Sequence, residues 1–457
     1  MTETSKFIEQ ERLFFESGTR MSVAERKAIL IKLVRILKEN REKIFSALYE
    51  DLHKSENETA ISEFIPLITS IRFLIKNLRR FAAPRYASAS IANFGGRGKI
   101  IKEPYGNVLI ISTWNYPLLL SIDPLAAAIA AGNSIVLKMS PIAPATTRIL
   151  TYIINDCLQC KHIHVASDDK IEELLEEKWD YIFFTGGTRM GRTVAEAAAK
   201  NLTPTTLELG GKNPCIVDRN ANLRLAAQRI VWGKFMNAGQ TCAAPDYLLV
   251  HKDIQQKFMN IMRKEVFKAF GEIPEESPDY ARIINAFHYE RLAKLINFGK
   301  LVTGGERNPD SLYISPTIVE DIHWTDPIME NEIFGPILPV ITIDSVDEIL
   351  PLIARRPKSL SAYYFGKDRR TMKKFLNSIS FGGGCINDTI MHLTSPHLPF
   401  GGVGPSGMGS YHGKAGFDTF THNKSILIQS TMLNFPIRFA PYGALKKLII
   451  KLVTKFI

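Results

Sequence analysis

Between Asn107 and Lys138 the chain passes from an uninterrupted apolar run (NVLIIS) through a proline-containing turn into the alanine-rich stretch Leu125–Ala131. Gly132-Asn133 then closes that stretch, and a second apolar run, SIVLK, follows. Strand, helix and strand in about thirty residues is a βαβ unit, and its two strands must lie parallel because a short hairpin cannot join them. The beat continues with helical patterns at 146–156, 171–177 and 189–200, and with strands at 162–165 and 181–184. This predicts a doubly wound α/β core over 100–209. A second α/β alternation occupies 214–385, with strands expected at 214–218, 246–250 and 338–343.

Before this core, residues 22–52 repeat apolar side chains three and four apart, and a second amphipathic run covers 59–81, broken at Pro66. From Pro84 to Gly98 the composition turns to Ala, Ser and Gly, the mark of an exposed arm. Length suits two α/β domains plus that arm, since 457 residues exceed what one core usually organises. A 45% hydrophobic and 23% charged composition excludes a disordered or fibrous chain. The net charge of +11 would suit anionic partners, yet no nucleic-acid motif accompanies it. No basic segment leading into an apolar core opens the chain, and five cysteines form no disulfide framework, so a cytoplasmic setting is expected.

The chemistry-bearing residues fall at strand ends. Cys242, in NAGQTCAAPDY, follows a tight turn at Gly239 and is the candidate nucleophile, provided that backbone amides or a positive dipole lower its pKa. Glu208 ends an apolar strand before Gly210-Gly211, where partial desolvation would raise its carboxyl toward a value useful in a base. Asn115, in WNYP, follows the 107–112 strand and can offer its amide NH₂ to a developing oxyanion. Gly186, Gly187 and Gly191, in FTGGTRMG, join strand 181–184 to the next helix, a place where phosphate can approach helix N–H groups. Each motif has a plain structural alternative when taken alone. Cys157, Cys160, His162 and His164 lie within eight residues but lack the spacer usual between zinc-ligand pairs, so packing rather than metal is expected of them.

Together WNYP (114–117), FTGGTRMG (184–191), LELGGKNP (207–214), NAGQTCAAPDY (237–247), EIFGPILP (332–339) and PFGGVGPSGMG (399–409) resemble the aldehyde dehydrogenase superfamily. The stretch YHGKAGFDTFTH (411–422) is similar to its class 3 branch, which acts on fatty and aromatic aldehydes. The resemblance implies a Rossmann-type cofactor domain (1–83 and 105–209), an α/β catalytic domain (210–395), bridging and oligomerisation segments (84–104 and 396–431) and a tail (432–457). It implies NAD(P)-dependent oxidation of hydrophobic aliphatic or aromatic aldehydes to carboxylic acids through a thiohemiacetal and a thioester on Cys242. Asn115 would hold the oxyanion and Glu208 would activate water. Lys138 and Glu332 would hold the two cofactor riboses, Phe334 would pack beside the nicotinamide, and the three glycines would form the pyrophosphate turn. A homodimer is also implied. The alternatives are a CoA-acylating dehydrogenase and a catalytically silent homologue.

The chain departs from many relatives at Pro141 and at His162–Asp169, where a Gly-Gly turn is usual, and its tail carries a further pattern. Pro141 occupies the place of a glutamate that usually chelates the adenosine ribose, so NADP is expected to be accepted beside NAD. In the tail, Lys447, Lys451 and Lys455 recur every four residues opposite Leu448, Ile449, Leu452, Val453 and Phe456. That pattern is a basic amphipathic helix, suited to a membrane surface or to a groove on the protein.

Overall fold

The computed structural model describes residues 2–89, 93, 95–433 and 436–456; the other positions of the expected arm (90–92, 94) and tail (434–435, 457) lie outside the described residues. Helices Glu3–Glu16, Val23–Glu39, Arg41–Leu52 and Ile65–Ala82 build the amino-terminal part. The 22–52 periodicity is thus two helices. Asn40 separates them, its side-chain amide donating back to the Ile36 carbonyl at 3.0 Å and competing with the helical ladder. In the 59–81 run the turn Ala60–Phe64 is π-helical and runs into Ile65–Ala82, with Pro66 at its first turn, where a missing N–H does no harm. The widened turn carries Glu63 into the interior, where it is fully buried.

A six-stranded sheet has the order Gly407–Met408, Thr205–Glu208, Tyr181–Thr185, Asn107–Ile111, Ser134–Lys138, Ile163–Val165. All neighbours are parallel except Gly407–Met408, which runs antiparallel to Leu207-Glu208. From Asn107–Ile111 the chain first winds one way and then the other, so the order reverses between that strand and Tyr181–Thr185. Ligands of open α/β sheets bind beyond the carboxyl edge at such a reversal. Register aligns the relevant residues on that edge: Ile111 faces Lys138 and Phe184, and Thr185 faces Glu208. Pro117–Ala131 is apolar on nearly every side, as suits a helix buried between layers.

The second sheet has seven strands, ordered Lys300–Thr303, Thr317–Glu320, Ile337–Ile343, Tyr247–His251, Pro214–Val217, Ser361–Phe365, Gly383–Ile386. Only the first runs antiparallel. The third sheet joins Arg85–Ala87, Arg97–Pro104 and Thr421–Ile428 in antiparallel register. Residues 396–431, expected as one bridging segment, therefore divide. Gly407–Met408 completes the first sheet, Gly413–Thr419 packs on Pro117–Ala131 and Ile65–Ala82, and only Thr421–Ile428 joins the arm. Tertiary pairing decides this split, since a two-residue strand leaves no periodicity to read.

Ala444–Phe456 forms the tail helix, and Leu445, Leu448, Ile449, Leu452 and Val453 on it are exposed. No helix among the described residues is long and apolar enough to cross a membrane. His162 pairs with Glu11 at 2.7 Å, and His164 stacks on Phe7 and lies 2.9 Å from the Thr4 hydroxyl, so the 157–164 histidines anchor the first helix.

Candidate active site

The loop bearing Cys242 is built from three successive left-handed residues, Asn237, Ala238 and Gly239, with φ of 55°, 49° and 73°. Two of them are not glycine, and such strain persists only where the surroundings hold it. Here a Cβ on Gly239 would stand 2.2 Å from the Gly335 carbonyl oxygen, so EIFGP and NAGQTC press together backbone to backbone. Gln240 locks the turn: its amide donates to the Asn237 and Arg282 carbonyls at 3.0 and 2.9 Å and accepts from the Ile284 N–H at 3.0 Å. Asn213 grips the carbonyl of Cys242 itself at 2.7 Å.

Asn115 reaches the same loop from the first sheet. Its side-chain amide donates to the Gln240 carbonyl at 3.0 Å, which uses one of its two N–H bonds. Its backbone carbonyl accepts from Lys54 Nζ at 3.0 Å and from Asn237 Nδ2 at 2.8 Å. Replacing Asn115 with alanine is expected to lower kcat by about 10²–10³-fold, the usual loss of one preorganised oxyanion donor. Steady-state oxidation beside the thiol alkylation rate checks this, because the sulfur should remain equally reactive.

Glu208 is buried at the end of its strand, and neither carboxyl oxygen has a hydrogen-bond partner among the described residues. Burial alone pushes its pKa well above the usual carboxylate range. Cys242 goes the same way. Burial first, then the Glu332 and Glu208 carboxylates, push its thiol up to about 12, against the N–H groups of Ala243 and Cys242. The expectation of a lowered thiol pKa is thus corrected: desolvation outweighs the backbone amides, and the sulfur is protonated at neutral pH until a base takes its proton.

Glu332 lies over Gly210, where a Cβ would stand 2.0 Å from its carboxylate. Burial and then Asp246 raise its pKa to about 8, and its Oε1 has no partner among the described residues. Lys212 pins the surrounding loop through Asp246 (2.6 Å) and the carbonyls of Ile328 and Asn331 (2.8 and 2.9 Å). Phe334, at φ 50°, meets Trp114 edge to face at 5.4 Å. Gly187 caps the helix Thr188–Lys200 without any side-chain bond to the first-turn N–H groups. Gly191 sits inside that helix, where a Cβ would meet Leu209 at 2.6 Å, so it admits close helix-to-sheet packing. Lys138 ends its strand with Nζ on the Ser167 carbonyl at 2.8 Å.

Glu332 and Gly210 line one crevice with Thr188, the first residue of the helix that Gly187 caps, while Lys138 ends a strand on the carboxyl edge near the sheet's reversal point. An uncapped helix terminus offers N–H donors for a pyrophosphate, an unpartnered Glu332 oxygen suits a ribose hydroxyl, and Lys138 retains free N–H bonds. The residues fit a dinucleotide.

A network absent from the sequence expectations stands behind the oxyanion position. Lys54 Nζ bonds Glu63 at 2.6 Å and lies 3.9 Å from the Tyr116 ring centroid, both charges fully buried. Glu63 Oε2 accepts the Leu118 and Leu119 N–H groups at 3.0 Å each, satisfying the start of Pro117–Ala131. Glu58 accepts the Asn237 N–H at 2.7 Å, and burial raises its pKa to about 7. One signal existed: Glu63 falls on the same helical face as Phe64 and Leu67, where a charge needs a partner.

From Cys242 a largely apolar channel of about 110 Å³, open to solvent, runs past Leu119, Leu120, Trp232, Met236, Ile390 and Phe400. The Cys242 thiol on this pocket feels the Glu332 and Glu208 carboxylates, and Asn115 bonds the Gln240 carbonyl two residues before it.

Residues 2–426 match the model of the aldehyde dehydrogenase family. The chain is 42% identical over 435 residues to the 4,4'-diaponeurosporen-aldehyde dehydrogenase of Staphylococcus aureus, covering 94% of this chain and 95% of that protein. An aldehyde dehydrogenase family 3 member of Rattus norvegicus is 42% identical over 439 residues, covering 95% and 94%. The solved substrate-bound state of Staphylococcus aureus AldH superposes with a TM-score of 0.95 at 41% identity, over 99% of this chain and 100% of that one.

Proposed function

Because the chain belongs to the aldehyde dehydrogenase family and oxidises aldehydes with NAD or NADP, we propose that its substrates are hydrophobic aliphatic or aromatic aldehydes, converted on Cys242 to carboxylic acids. The observation that carries this reading is the largely apolar pocket that has the Cys242 thiol in its wall. Of the similar proteins named above, one carries the family 3 name and the other is named for 4,4'-diaponeurosporen-aldehyde.

Cys242, once deprotonated, adds to the aldehyde carbon, and the oxygen of the thiohemiacetal takes the free Asn115 N–H and the Cys242 backbone N–H. When bound, NAD or NADP supplies the hydride acceptor. Glu332 and the helix terminus at Gly187 would hold that acceptor, and Lys138 would hold its far ribose. The acyl group then remains on sulfur as a thioester. Glu208 removes a proton from the attacking water, because the sulfur is occupied and cannot act as base. Discharge by water rather than by a thiol cosubstrate follows from an unpartnered Glu208 buried at the site, which a CoA-acylating enzyme would not need.

A panel of alkanals of increasing length, with benzaldehyde, run with NAD and NADP tests this. Expected is a kcat/KM that rises with chain length, since each buried methylene adds about 0.8 kcal/mol. NADP should fall within about tenfold of NAD, because Pro141 presents no carboxylate to a 2′-phosphate. Absence of cofactor reduction with every aldehyde would mark a silent homologue.

The exposed edge Thr421–Ile428, with Ile426, Leu427 and Ile428 open to solvent, supports a homodimer that covers this edge. The exposed apolar stripe of Ala444–Phe456, flanked by lysines, supports peripheral binding to anionic membrane surfaces from the cytoplasm, where a free catalytic thiol persists. A chain ending at Tyr442 is expected to lose most co-sedimentation with anionic liposomes; equal binding of both forms would defeat the membrane reading.

A further inference from the structure

One sector of the apolar channel is polar. Asp123, on the buried helix Pro117–Ala131, is only 4% exposed yet lines the channel with Ser70 and His412. Its Oδ1 accepts from Ser70 Oγ at 2.5 Å. Its Oδ2 faces His412 Nε2 at 4.0 Å, too far for a direct hydrogen bond. That gap is the right width for a single oxygen bonded to both, since two contacts of about 2.8 Å span it at a right angle.

The surroundings hold the gap open. His412 stacks on Phe400 (5.3 Å, 24°) and meets Tyr411 edge-on at 4.3 Å. Its backbone has φ 78°, a left-handed conformation that a non-glycine residue adopts only under constraint. Burial pushes Asp123 up to about 6 and His412 down to about 4, so near neutral pH a carboxylate acceptor faces a neutral imidazole. A hydroxyl or a water oxygen can bond both groups, donating to one and accepting from the other. Beside this pair, burial first and then the Glu208, Asp123 and Cys242 charges hold the Tyr411 hydroxyl well above its usual pKa. A buried carboxylate in an apolar wall is unfavourable unless something uses it.

We propose that Ser70, Asp123 and His412 form a subsite for a hydroxyl on the substrate chain, so that hydroxylated aldehydes are preferred to unsubstituted aldehydes of equal length. The proposal rests on the reading of this channel as the aldehyde channel. With a plain alkanal, water fills the gap; a hydroxylated substrate replaces that water and gains a hydrogen bond to a charged group.

The test is a kcat/KM comparison of unbranched alkanals with their monohydroxy counterparts, the hydroxyl moved one carbon at a time. One hydroxyl position is expected to exceed the matched alkanal by about 10- to 100-fold, the scale of a hydrogen bond to a charged partner. In Asp123→Leu, similar in size and apolar, that ratio should fall to about one or below. Ser70→Ala, which only frees the Asp123 carboxylate to turn, should lower it partway. A ratio near one at every position in the wild type, or a preference that survives Asp123→Leu and Ser70→Ala, overturns the subsite. Failure to oxidise any alkanal would instead overturn the underlying reading of the channel.

Discussion

Replacing Cys242 with serine is expected to lower kcat for aldehyde oxidation by about 10⁴-fold or more, with dinucleotide binding unchanged. The size follows from the role. A hydroxyl in the same place is a far weaker nucleophile than a thiolate, and the acyl intermediate then cannot form at a useful rate. The surroundings offer no substitute, since the other free cysteines, Cys157, Cys160, Cys215 and Cys385, do not line the channel. Cofactor-reduction rates beside dinucleotide titration by fluorescence quenching make the measurement. Retained oxidation would remove covalent catalysis from this site. The backbone should tolerate the change, because the loop is held by Gln240, Asn213 and Gly239 rather than by the sulfur.

The second large effect belongs to Glu208→Gln, which is expected to lower steady-state turnover by about 10²–10⁴-fold, the usual contribution of a positioned base. Hydride loss precedes the step that needs this base. A rapid-mixing experiment should therefore show a burst of one reduced dinucleotide per site, followed by a stalled thioester visible in the intact-protein mass. Loss of the burst as well would mean that Glu208 also serves the thiol, whose proton must go somewhere given its raised pKa. The wild-type rate should climb with pH through the raised Glu208 value, and the variant should lack that limb. Stability runs the opposite way. A carboxyl whose folded pKa lies above its ordinary value of 4.5 stabilises fully below that value and loses its contribution as pH rises through the folded one. At neutral pH the glutamine variant should therefore melt no lower than the wild type, which separates lost chemistry from lost fold.

Glu208 illustrates how far local sequence reaches: it was legible as a strand-end carboxylate before Gly210-Gly211, because strands and turns are written in contiguous periodicity and in glycine positions. Glu332 was marked only by the family motif EIFGP. The parallel, doubly wound character of the first sheet was legible too, from 107 to 209, since a βαβ beat admits only parallel winding; the order of its strands was not. The same reading saw residues 22–52 as one helical stretch and residues 396–431 as one bridging segment. In each case a single side chain or a two-residue pairing divides the segment, too small a feature to alter a pattern read over many positions.

The amino-acid sequence by itself determined the alternation of strand and helix, the place of Cys242, Glu208 and Asn115 after their strands or turns, and the motifs that mark the family. Those properties reside in neighbouring residues. Only the tertiary structure decided that Lys54 and Glu63 support Asn115, that Gly191 serves packing, that the thiol pKa rises, and that Asp123 and His412 face one another in the channel. Desolvation and contacts across many tens of residues produce each of these, and neither is a property of any local stretch of chain.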